Sequence, residues 1–364
     1  MQYSKKQEEK NFNLLKELIA TPSPSGFEQL IQSLIKEKIV KYVDDVKVDI
    51  TGNLIGMRKG KGKLKIALMS HCDETGLMIT YISKEGFLYF KPIGGMDEHI
   101  TQGQRVFIHS KNGPILGVIG SRTADLLSQE ERKYVTPFKR QWIDIGADGR
   151  EGAAKKVSVG DPVTFAYELQ RLGDSDIIVS RGLDDKFGVL VLIETLRKIS
   201  ELGEHEVDLY MVSTVQEEIG LRGAVPAAYQ INPKAAIIVD IGWTTDTPET
   251  LLEKAALGDT TIGKGPILDK GSNNHPILYQ MMLDVAKEND IPVQLRASPM
   301  PIGTDAKVVQ LAREGVATVV VNMPARYSHT PSAVASLKDV EYTSELLSKT
   351  IYKINQLIDF TPSI

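Results

Sequence analysis

Five short polar stretches of the sequence carry residue types that can bind metal ions or transfer protons. They are His71-Cys72-Asp73-Glu74, Leu183-Asp184-Asp185, Gln216-Glu217-Glu218, Val239-Asp240 and Tyr327-Ser328-His329-Thr330. Taken singly, each has an ordinary structural explanation: an isolated histidine is more often structural than a ligand, and acidic residues favour helix starts. All five, however, lie at predicted strand ends or helix starts. Ligands of open α/β sheets collect outside the carboxyl ends of the strands, so the five stretches together predict one site.

The residue types in these stretches indicate a catalytic metal site. Histidines and carboxylates without cysteine are typical of Zn²⁺ or a similar divalent ion with an open coordination position, rather than of a structural zinc site. Two histidines and three or more carboxylates exceed the needs of one catalytic zinc ion. A two-metal hydrolase site with a bridging carboxylate uses them all.

Other chemistries are less well supported by the sequence. The stretch 258–265 contains glycines without the lysine-serine order of a phosphate-binding loop, and no glycine-rich dinucleotide fingerprint follows a strand. Cys72 is predicted to point to the opposite face of its strand from His71 and Asp73, which disfavours a cysteine nucleophile. Glu217 and Glu218 could form a glycosidase carboxylate pair, but that chemistry does not need the surrounding histidines and aspartates.

Hydrophobic periodicity predicts two helices at the start of the chain. The first carries Phe12, Leu15 and Ile19 on one face. A capping box from Ser25 to Glu28 is predicted to open the second helix. Its inward-facing residues are predicted to be Phe27, Leu30, Ile31, Leu34 and Ile35.

Strands follow these helices, and later in the chain strands alternate with helices. A hairpin is predicted over 46–57, and a buried strand over 65–69 delivers His71 and Asp73 at its end. Further strands are predicted over 207–215, 235–239, 293–296 and 317–321, with helices over 187–202, 276–287, 306–313 and 337–358. This alternation predicts an α/β fold with a mixed, largely parallel sheet and helices on both faces.

The stretch from Thr75 to Ser180 has a different texture. Its short runs of Val, Ile and Phe are broken by turn signals such as Gly94-Gly95 and Asn112-Gly113. We therefore predict a small β domain over 75–180, inserted into a catalytic α/β domain formed by 1–74 and 181–364.

Composition excludes several classes of protein. The 364 residues suggest about two domains, and 42% hydrophobic residues are enough for a large core. With 43 basic against 47 acidic residues the net charge is −4, which argues against a nucleic-acid partner. One cysteine cannot form an intramolecular disulfide, no apolar run approaches the ~18 residues of a membrane span, and the N-terminus lacks an apolar signal core. We therefore expect a cytoplasmic protein without a membrane association.

The motifs, in their order along the chain, resemble those of the M42 metallo-aminopeptidases, which include glutamyl aminopeptidases and the tetrahedral-shell peptidases. The resemblance covers nearly the whole chain. Its motifs are Pro22 to Glu28, Gly52-Asn53, His71-x-Asp73-Glu74-x-Gly76, Trp142 to Asp148, Val159-Gly160-Asp161, Leu183-Asp184-Asp185, Gln216-Glu217-Glu218-x-Gly220-x-x-Gly223-Ala224, Asp240, Thr245 to Pro248, Gly263 to Pro266, Gly303 to Ala306 and Arg326 to His329.

The resemblance implies two divalent metal ions, zinc with cobalt or manganese as alternatives. His71, Asp184 and Asp240 would hold one ion, and Asp184, Glu218 and His329 the other, with Asp184 as the bridge. Glu217 would be the general base, and Asp73 would orient His71. Three ligand carboxylates against two divalent ions leave one positive charge, which a bridging hydroxide neutralises.

The resemblance also implies a function and an assembly. The protein would be a zinc-exopeptidase-like aminopeptidase that removes N-terminal residues from peptides with a metal-activated water. The inserted domain would mediate a homo-oligomer, a dimer that builds to a twelve-subunit shell. Two departures from the family pattern are Cys72, where a larger apolar residue is usual, and Arg122 to Asp125, which lacks a Pro-Pro-His sequence. The second departure bears on assembly more than on catalysis.

Two other functions remain open at this stage. One is a metal-dependent amidohydrolase for N-acyl amino acids, or a glycan hydrolase. The other is a catalytically silent peptide-binding or assembly protein, although every implied ligand and the base are present. Arg326 is a candidate basic group for an acidic substrate side chain, and a structural ion-pair role for it is equally compatible with the sequence.

Overall fold

The computed structural model describes residues 4–362; residues 1–3 and 363–364, at the two ends of the predicted catalytic domain, lie outside it. Helices and strands are numbered here in chain order. The helices are α1 (Lys5–Ala20), α2 (Gln29–Ile39), α3 (Gly149–Ala154), α4 (Leu183–Leu202), α5 (Ala224–Ile231), α6 (Leu251–Leu257), α7 (Pro276–Glu288), α8 (Ala306–Val309) and α9 (Leu337–Lys353). The strands are β1 (Asp45–Val48), β2 (Leu54–Arg58), β3 (Lys65–His71), β4 (Gly76–Ile82), β5 (Leu88–Ile93), β6 (Arg105–Ser110), β7 (Gly113–Gly120), β8 (Trp142–Asp144), β9 (Pro162–Phe165), β10 (Gln170–Arg171), β11 (Ile177–Ser180), β12 (Asp208–Thr214), β13 (Ala235–Trp243), β14 (Ile267–Gly271), β15 (Gln294–Ser298), β16 (Ala317–Arg326) and β17 (Ala333–Ser336).

A mixed, 11-stranded sheet forms the centre of the molecule. Its main path runs β1-β2-β12-β3-β13-β16-β17-β11-β10, and β14 joins β15 to β16 beside it. The central neighbours β12, β3, β13 and β16 are parallel, whereas the strands toward both ends of the main path pair antiparallel. Beside this path, β14 pairs antiparallel with β16 and parallel with β15. The predicted α/β fold with a largely parallel sheet is therefore confirmed.

Both faces of the central strands are buried by helices. In β3, Ile66 and Leu68 pack into the larger core with residues of α1, α2, α4 and α9, whereas Ala67 and Met69 pack into a second core with α5 and α8. Successive strand residues point to opposite faces, so a strand covered on both sides must be apolar at every position. This explains the unbroken apolar runs of the sequence.

The inserted segment forms a closed barrel of six strands in the order β4-β5-β8-β7-β6-β9. Closure removes free strand edges, and the barrel encloses its own core, which includes Ile79, Phe90 and Ile119. The barrel ends at Phe165. Strands β10 and β11 fall within the predicted inserted domain but belong to the large sheet, because β11 pairs with β17 and β10 pairs with β11. The chain therefore returns to the α/β domain before residue 180.

A buried ion cluster lies where the chain passes from the α/β domain into the barrel. Glu74, just before β4, forms ion pairs with Arg181, just after β11, and with Lys186 of α4, whose Nζ lies 2.7 Å from Glu74 Oε1. All three side chains are buried. Removing one partner of a buried ion pair typically costs about 3–5 kcal/mol, so this cluster fixes the junction beside the candidate site.

Two details of the predicted second helix are wrong. Leu30 is 66% exposed rather than inward-facing. Glu28 is the N-cap residue of α2, but its side chain makes no capping hydrogen bond, because Ser25 and Glu28 bond to other parts of the chain.

Among the described residues, the helices are too short or too polar to span a bilayer.

Candidate active site

The predicted site residues come together at the carboxyl-terminal edge of the central strands. His71 is the last residue of β3, Asp240 lies in β13, and Glu218 follows β12 in a turn. Asp184 is at the start of α4, where its backbone is not yet helical. His329 lies in the loop between β16 and β17. The parallel register of β12, β3 and β13 explains why residues so distant in sequence meet.

Asp184 lies between the two histidines. Its Oδ1 is 3.1 Å from Nε2 of His71, and its Oδ2 is 3.2 Å from Nε2 of His329. Each oxygen of one carboxylate therefore faces a different imidazole. This arrangement is suited to a carboxylate that bridges two metal ions.

Two groups of potential metal ligands share Asp184. In the first, Nε2 of His71 is 3.8 Å from Oδ1 of Asp240; in the second, Nε2 of His329 is 3.5 Å from Oε2 of Glu218. The ligand atoms of each group lie within 4.8 Å of one another. The groups are the same two that the family resemblance implies.

The electrostatics of the site favour bound cations. Burial raises the pKa of Glu217 to about 10 and that of Asp240 to about 8, against the opposing charge of His71. Burial and the negative charge of Asp184 also raise the pKa of Glu218. For Asp184, hydrogen bonds from His329 and His71 outweigh the effect of burial and lower the pKa. The site thus contains more carboxyl groups than the positive charges of the described residues around it can keep ionised.

The donor atoms fit a pair of divalent ions. Each group offers one imidazole nitrogen and two carboxylates, which is a ligand set of catalytic zinc sites that leaves a coordination position open. Within residues 4–362, Oε1 of Glu218 is buried without a hydrogen-bond partner. A buried carboxylate oxygen without a partner is costly, and a metal ion would satisfy it.

Asp73 supports the site in two ways. Its backbone oxygen lies 3.1 Å from Nδ1 of His71, and its Oδ1 lies 3.4 Å from the same atom. Its carboxylate also accepts hydrogen bonds from the backbone N–H groups of Glu217 and Glu218, at 3.0 and 3.2 Å. The first contact is the one expected from the sequence. The second places Asp73 directly behind both glutamates.

Glu217 is buried next to the two ligand groups without belonging to either. Its Oε2 is 4.0 Å from Nε2 of His71, and its carboxylate lines the cavity above the site. Thus the two adjacent glutamates occupy different positions, Glu218 beside His329 and Glu217 beside His71.

The barrel also reaches the site, through the loop after β5. A Cβ atom on Gly94 would lie 3.2 Å from Cβ of Glu218, and one on Gly95 would lie 3.6 Å from Nδ1 of His329. No site residue was predicted within the inserted segment, so this contact was not expected from the sequence. The Gly-Gly pair is visible in the sequence, but it signals a turn and not what the turn approaches.

A cavity of ≈ 970 Å³ opens above the site. Arg326 is not among the residues that line it; its guanidinium forms a two-bond ion pair with Asp246, at 3.0 and 2.5 Å. Arg326 therefore makes the structural ion pair that the sequence analysis gave as the alternative to a substrate-binding role. The cations that line the cavity are Arg296, which is bonded to Asp269, and the exposed Lys307. Neither had been singled out from the sequence.

Cys72 points away from the site, as the strand alternation predicts. Its side chain is part of the larger hydrophobic core, and burial raises the pKa of the thiol. The thiolate is the reactive form, so this environment makes Cys72 unreactive as a nucleophile.

Comparison with known proteins gives consistent similarities. The family model of M42 glutamyl aminopeptidases matches residues 52–346. The lysyl aminopeptidase of Pyrococcus furiosus is 36% identical over 97% of this chain and 99% of its own length. The TET aminopeptidase of a marine sediment thaumarchaeon superposes with a TM-score of 0.91 at 32% identity, over 96% of this chain and 98% of that one. The Pyrococcus horikoshii TET1 peptidase, described as assembling into a tetrahedron or a large octahedral shell, gives a TM-score of 0.83 at 32% identity, over 94% of this chain and 100% of that one.

We predict that Gly94→Ala weakens metal binding, because the added Cβ would lie 3.0 Å from Cγ2 of Thr75 and 3.2 Å from Cβ of Glu218, so that Glu218 must shift to make room. Displacement of a metal ligand from behind typically costs about 10-fold or more in affinity. The positive φ of Gly94, 78°, adds about 1–2 kcal/mol of backbone strain for alanine. Competition titration of Zn²⁺ against a chromophoric chelator measures the affinity, and thermal unfolding measures the stability.

Gly95→Ala is the matched control for this experiment. Its Cβ would meet His329 at an ordinary van der Waals distance, so we expect zinc affinity and melting temperature close to those of the wild type. Equal zinc affinities of the two variants would show that the barrel loop does not support Glu218.

Proposed function

Because this chain belongs to the M42 glutamyl aminopeptidase family and is a peptide-bond hydrolase, we propose that it removes N-terminal residues from peptides with two divalent metal ions and a glutamate base. The observation that carries the proposal is the pair of ligand groups that share Asp184 and lie beside Glu217 at the floor of one cavity. A peptide entering this cavity meets the base and the ligand groups together.

The proposed ligands divide between two ions. His71, Asp184 and Asp240 would hold one, and Asp184, Glu218 and His329 the other. When bound, the two ions would supply Lewis-acid chemistry that lowers the pKa of a nucleophilic water and polarises the scissile carbonyl. Zinc suits this set of nitrogen and oxygen ligands, and cobalt or manganese are alternatives.

Glu217 is proposed to move the proton. A general base must be free to accept a proton within the site. Among the described residues, the carboxylate of Glu217 makes no hydrogen bond. Its Oε2, beside His71, would take a proton from the nucleophilic water and pass it to the leaving amine. Its burial raises the affinity of the carboxylate for that proton.

Asp73 and the surrounding backbone are proposed to keep these groups in position. The contact between Asp73 and Nδ1 leaves Nε2 of His71 directed toward Asp184 and Asp240. A histidine held in one orientation and tautomer is the usual arrangement for a metal ligand.

The inserted barrel is proposed to mediate a homo-oligomer, and dimers formed through it could build a shell of twelve subunits. Similar TET structures are described as a dodecamer or as tetrahedral and octahedral shells, which supports the proposal. The barrel also leaves apolar side chains exposed. Phe107 of β6 and Leu116 of β7 are direct cross-strand partners that are 37% and 53% exposed. Exposed apolar patches of this kind are typical of protein interfaces.

We predict that exhaustive chelation abolishes aminopeptidase activity and that Zn²⁺, Co²⁺ or Mn²⁺ restores it. The assay should use a panel of aminoacyl substrates together with N-acylated amino acids and polysaccharides. Several aminoacyl groups are needed, because the family model is of glutamyl aminopeptidases whereas the similar Pyrococcus furiosus enzyme is a lysyl aminopeptidase. Cleavage confined to substrates with a free N-terminus is the expected result. Full activity without a transition metal would contradict the two-metal proposal, and preferential cleavage of N-acylated or glycan substrates would contradict the aminopeptidase proposal.

We predict that Glu217→Gln and Glu218→Gln fail in different ways. Glu218→Gln should lose one metal ion together with activity, because it removes a charged ligand. Glu217→Gln should keep both ions but lose roughly 10²-fold or more in turnover, because an amide cannot accept the proton. Metal analysis per subunit and steady-state kinetics of the two variants measure the difference. Loss of metal from Glu217→Gln, or turnover near that of the wild type, would show that the assigned roles are wrong.

We predict that light scattering gives the mass of an oligomer, at least twice the 40.1 kDa of one subunit. Leu116→Glu places a charge in the exposed barrel patch and should lower this mass if the patch is the dimer interface. Leu357→Glu is the control, because Leu357 is 92% exposed outside the barrel. A monomeric wild type at micromolar concentration would contradict the oligomer, and an unchanged mass for Leu116→Glu would exclude this patch.

A further inference from the structure

Glu28 makes contacts that neither the capping prediction nor the proposed mechanism explains. It precedes α2, is 3% exposed, and its Oε1 accepts hydrogen bonds from the backbone N–H groups of Gly26 and Gln216, at 2.7 and 3.2 Å. Gln216 lies 188 residues further along the chain and directly precedes the proposed base. The side chain expected to cap a helix therefore contacts the segment that carries the catalytic glutamates.

The segment from Gln216 to Glu218 is held by carboxylates at three successive backbone N–H groups. Gln216 donates to Glu28, whereas Glu217 and Glu218 donate to Asp73. Ser25 completes the arrangement, because its hydroxyl donates to Oδ2 of Asp73 at 2.7 Å. Residues 25–28 thus support the turn both directly, through Glu28, and indirectly, through Asp73.

This turn decides where the two glutamates point. On a continuing strand, Glu217 and Glu218 would face opposite sides of the sheet. Strand β12 instead ends at Thr214, and Gln216 adopts a left-handed conformation, with φ of 57°, that is unfavourable for a residue other than glycine. Such a conformation persists only where the surroundings hold it in place. The hydrogen bond from Gln216 to Glu28 is made by this strained residue itself.

We infer that Glu28 is a positioning residue for the reaction: its carboxyl group holds the Gln216 turn so that Glu217 and Glu218 both face the site. The inference rests on the proposed function for its effect on catalysis. It assigns Glu28 a role that depends on the reach of its side-chain oxygen rather than on its charge. Burial raises the pKa of Glu28 to about 7, so a neutral amide of the same length is a close substitute.

The test compares Glu28→Gln with Glu28→Asp in the zinc-loaded enzyme. Glutamine keeps the length and an acceptor oxygen but not the charge, whereas aspartate keeps the charge but is one methylene group too short to reach Gln216. We expect Glu28→Gln to stay within about threefold of wild-type kcat. We expect Glu28→Asp to lose about 10-fold or more in kcat with KM changed by less than about threefold, because misplacement affects the proposed base and metal ligand more than the rest of the cavity that binds the substrate.

Hydrogen–deuterium exchange of the 214–223 segment supplies a readout that does not depend on activity. Exchange in this segment should be faster in Glu28→Asp than in the wild type, and unchanged in Glu28→Gln. Melting temperatures of both variants show whether each is folded. Glu37→Gln is the control on the same helix, because the side chain of Glu37 is 73% exposed, and it should match the wild type in every measurement.

The outcomes separate this inference from the proposed function. Wild-type kcat and exchange in Glu28→Asp, equal losses in the Asp and Gln variants, or a loss of melting temperature alone would each overturn the positioning role. A wild-type protein that cleaves no peptide would overturn the proposed function, while the exchange difference would still report whether Glu28 holds the turn.

Discussion

The structure depends on a concentration of buried negative charge at one edge of the sheet. Asp184, Glu217, Glu218 and Asp240 lie within a small region together with two histidines. Transfer of an ionised carboxylate from water into a protein interior is strongly unfavourable unless cations or hydrogen bonds compensate it. The fold must therefore hold these groups together against their mutual repulsion, and most of the architecture around the site serves that requirement.

Segments from the whole chain contribute to this restraint. The strands supply the ends from which His71 and Asp240 project, and Asp73 fixes both His71 and the backbone of the glutamate turn. The barrel loop at Gly94 packs behind Glu218, where a Cβ atom would come within 3.2 Å of Cβ of Glu218. Because each restraint comes from a different part of the sequence, the complete site requires the sheet, the N-terminal segment and the barrel together. The barrel is thus connected to the chemistry as well as to the proposed assembly.

The sequence predicted the residues that meet and the contact of Asp73 with His71, but not the other contacts that hold them. Strand ends are visible as polar residues after apolar runs, so His71 and Asp240 could be placed at one edge of a parallel sheet. Ser25 and Glu28 have the spacing of a capping box, and local pattern alone could not show that both side chains bond to distant partners. Arg326 was an equally ambiguous case, because its partner Asp246 is separated from it by 80 residues. A long-range hydrogen bond leaves no periodic signal in one sequence.

The junction beside the site shows how the same fold neutralises a buried carboxylate when no external cation is involved. Glu74 is surrounded by Arg181 and Lys186, whose charges outweigh the effect of burial and lower the pKa of Glu74 to about 2. At the candidate site, by contrast, Glu217, Glu218 and Asp240 form no ion pair with any lysine or arginine of the described chain. Burial raises the pKa of each of these three groups. Positively charged side chains are therefore available to the fold but are placed at the junction and not at the site. An acidic site whose carboxylate charge is to be balanced by bound metal ions requires this separation, because a lysine or arginine at the site would repel the metal ions that the acidic groups are proposed to bind.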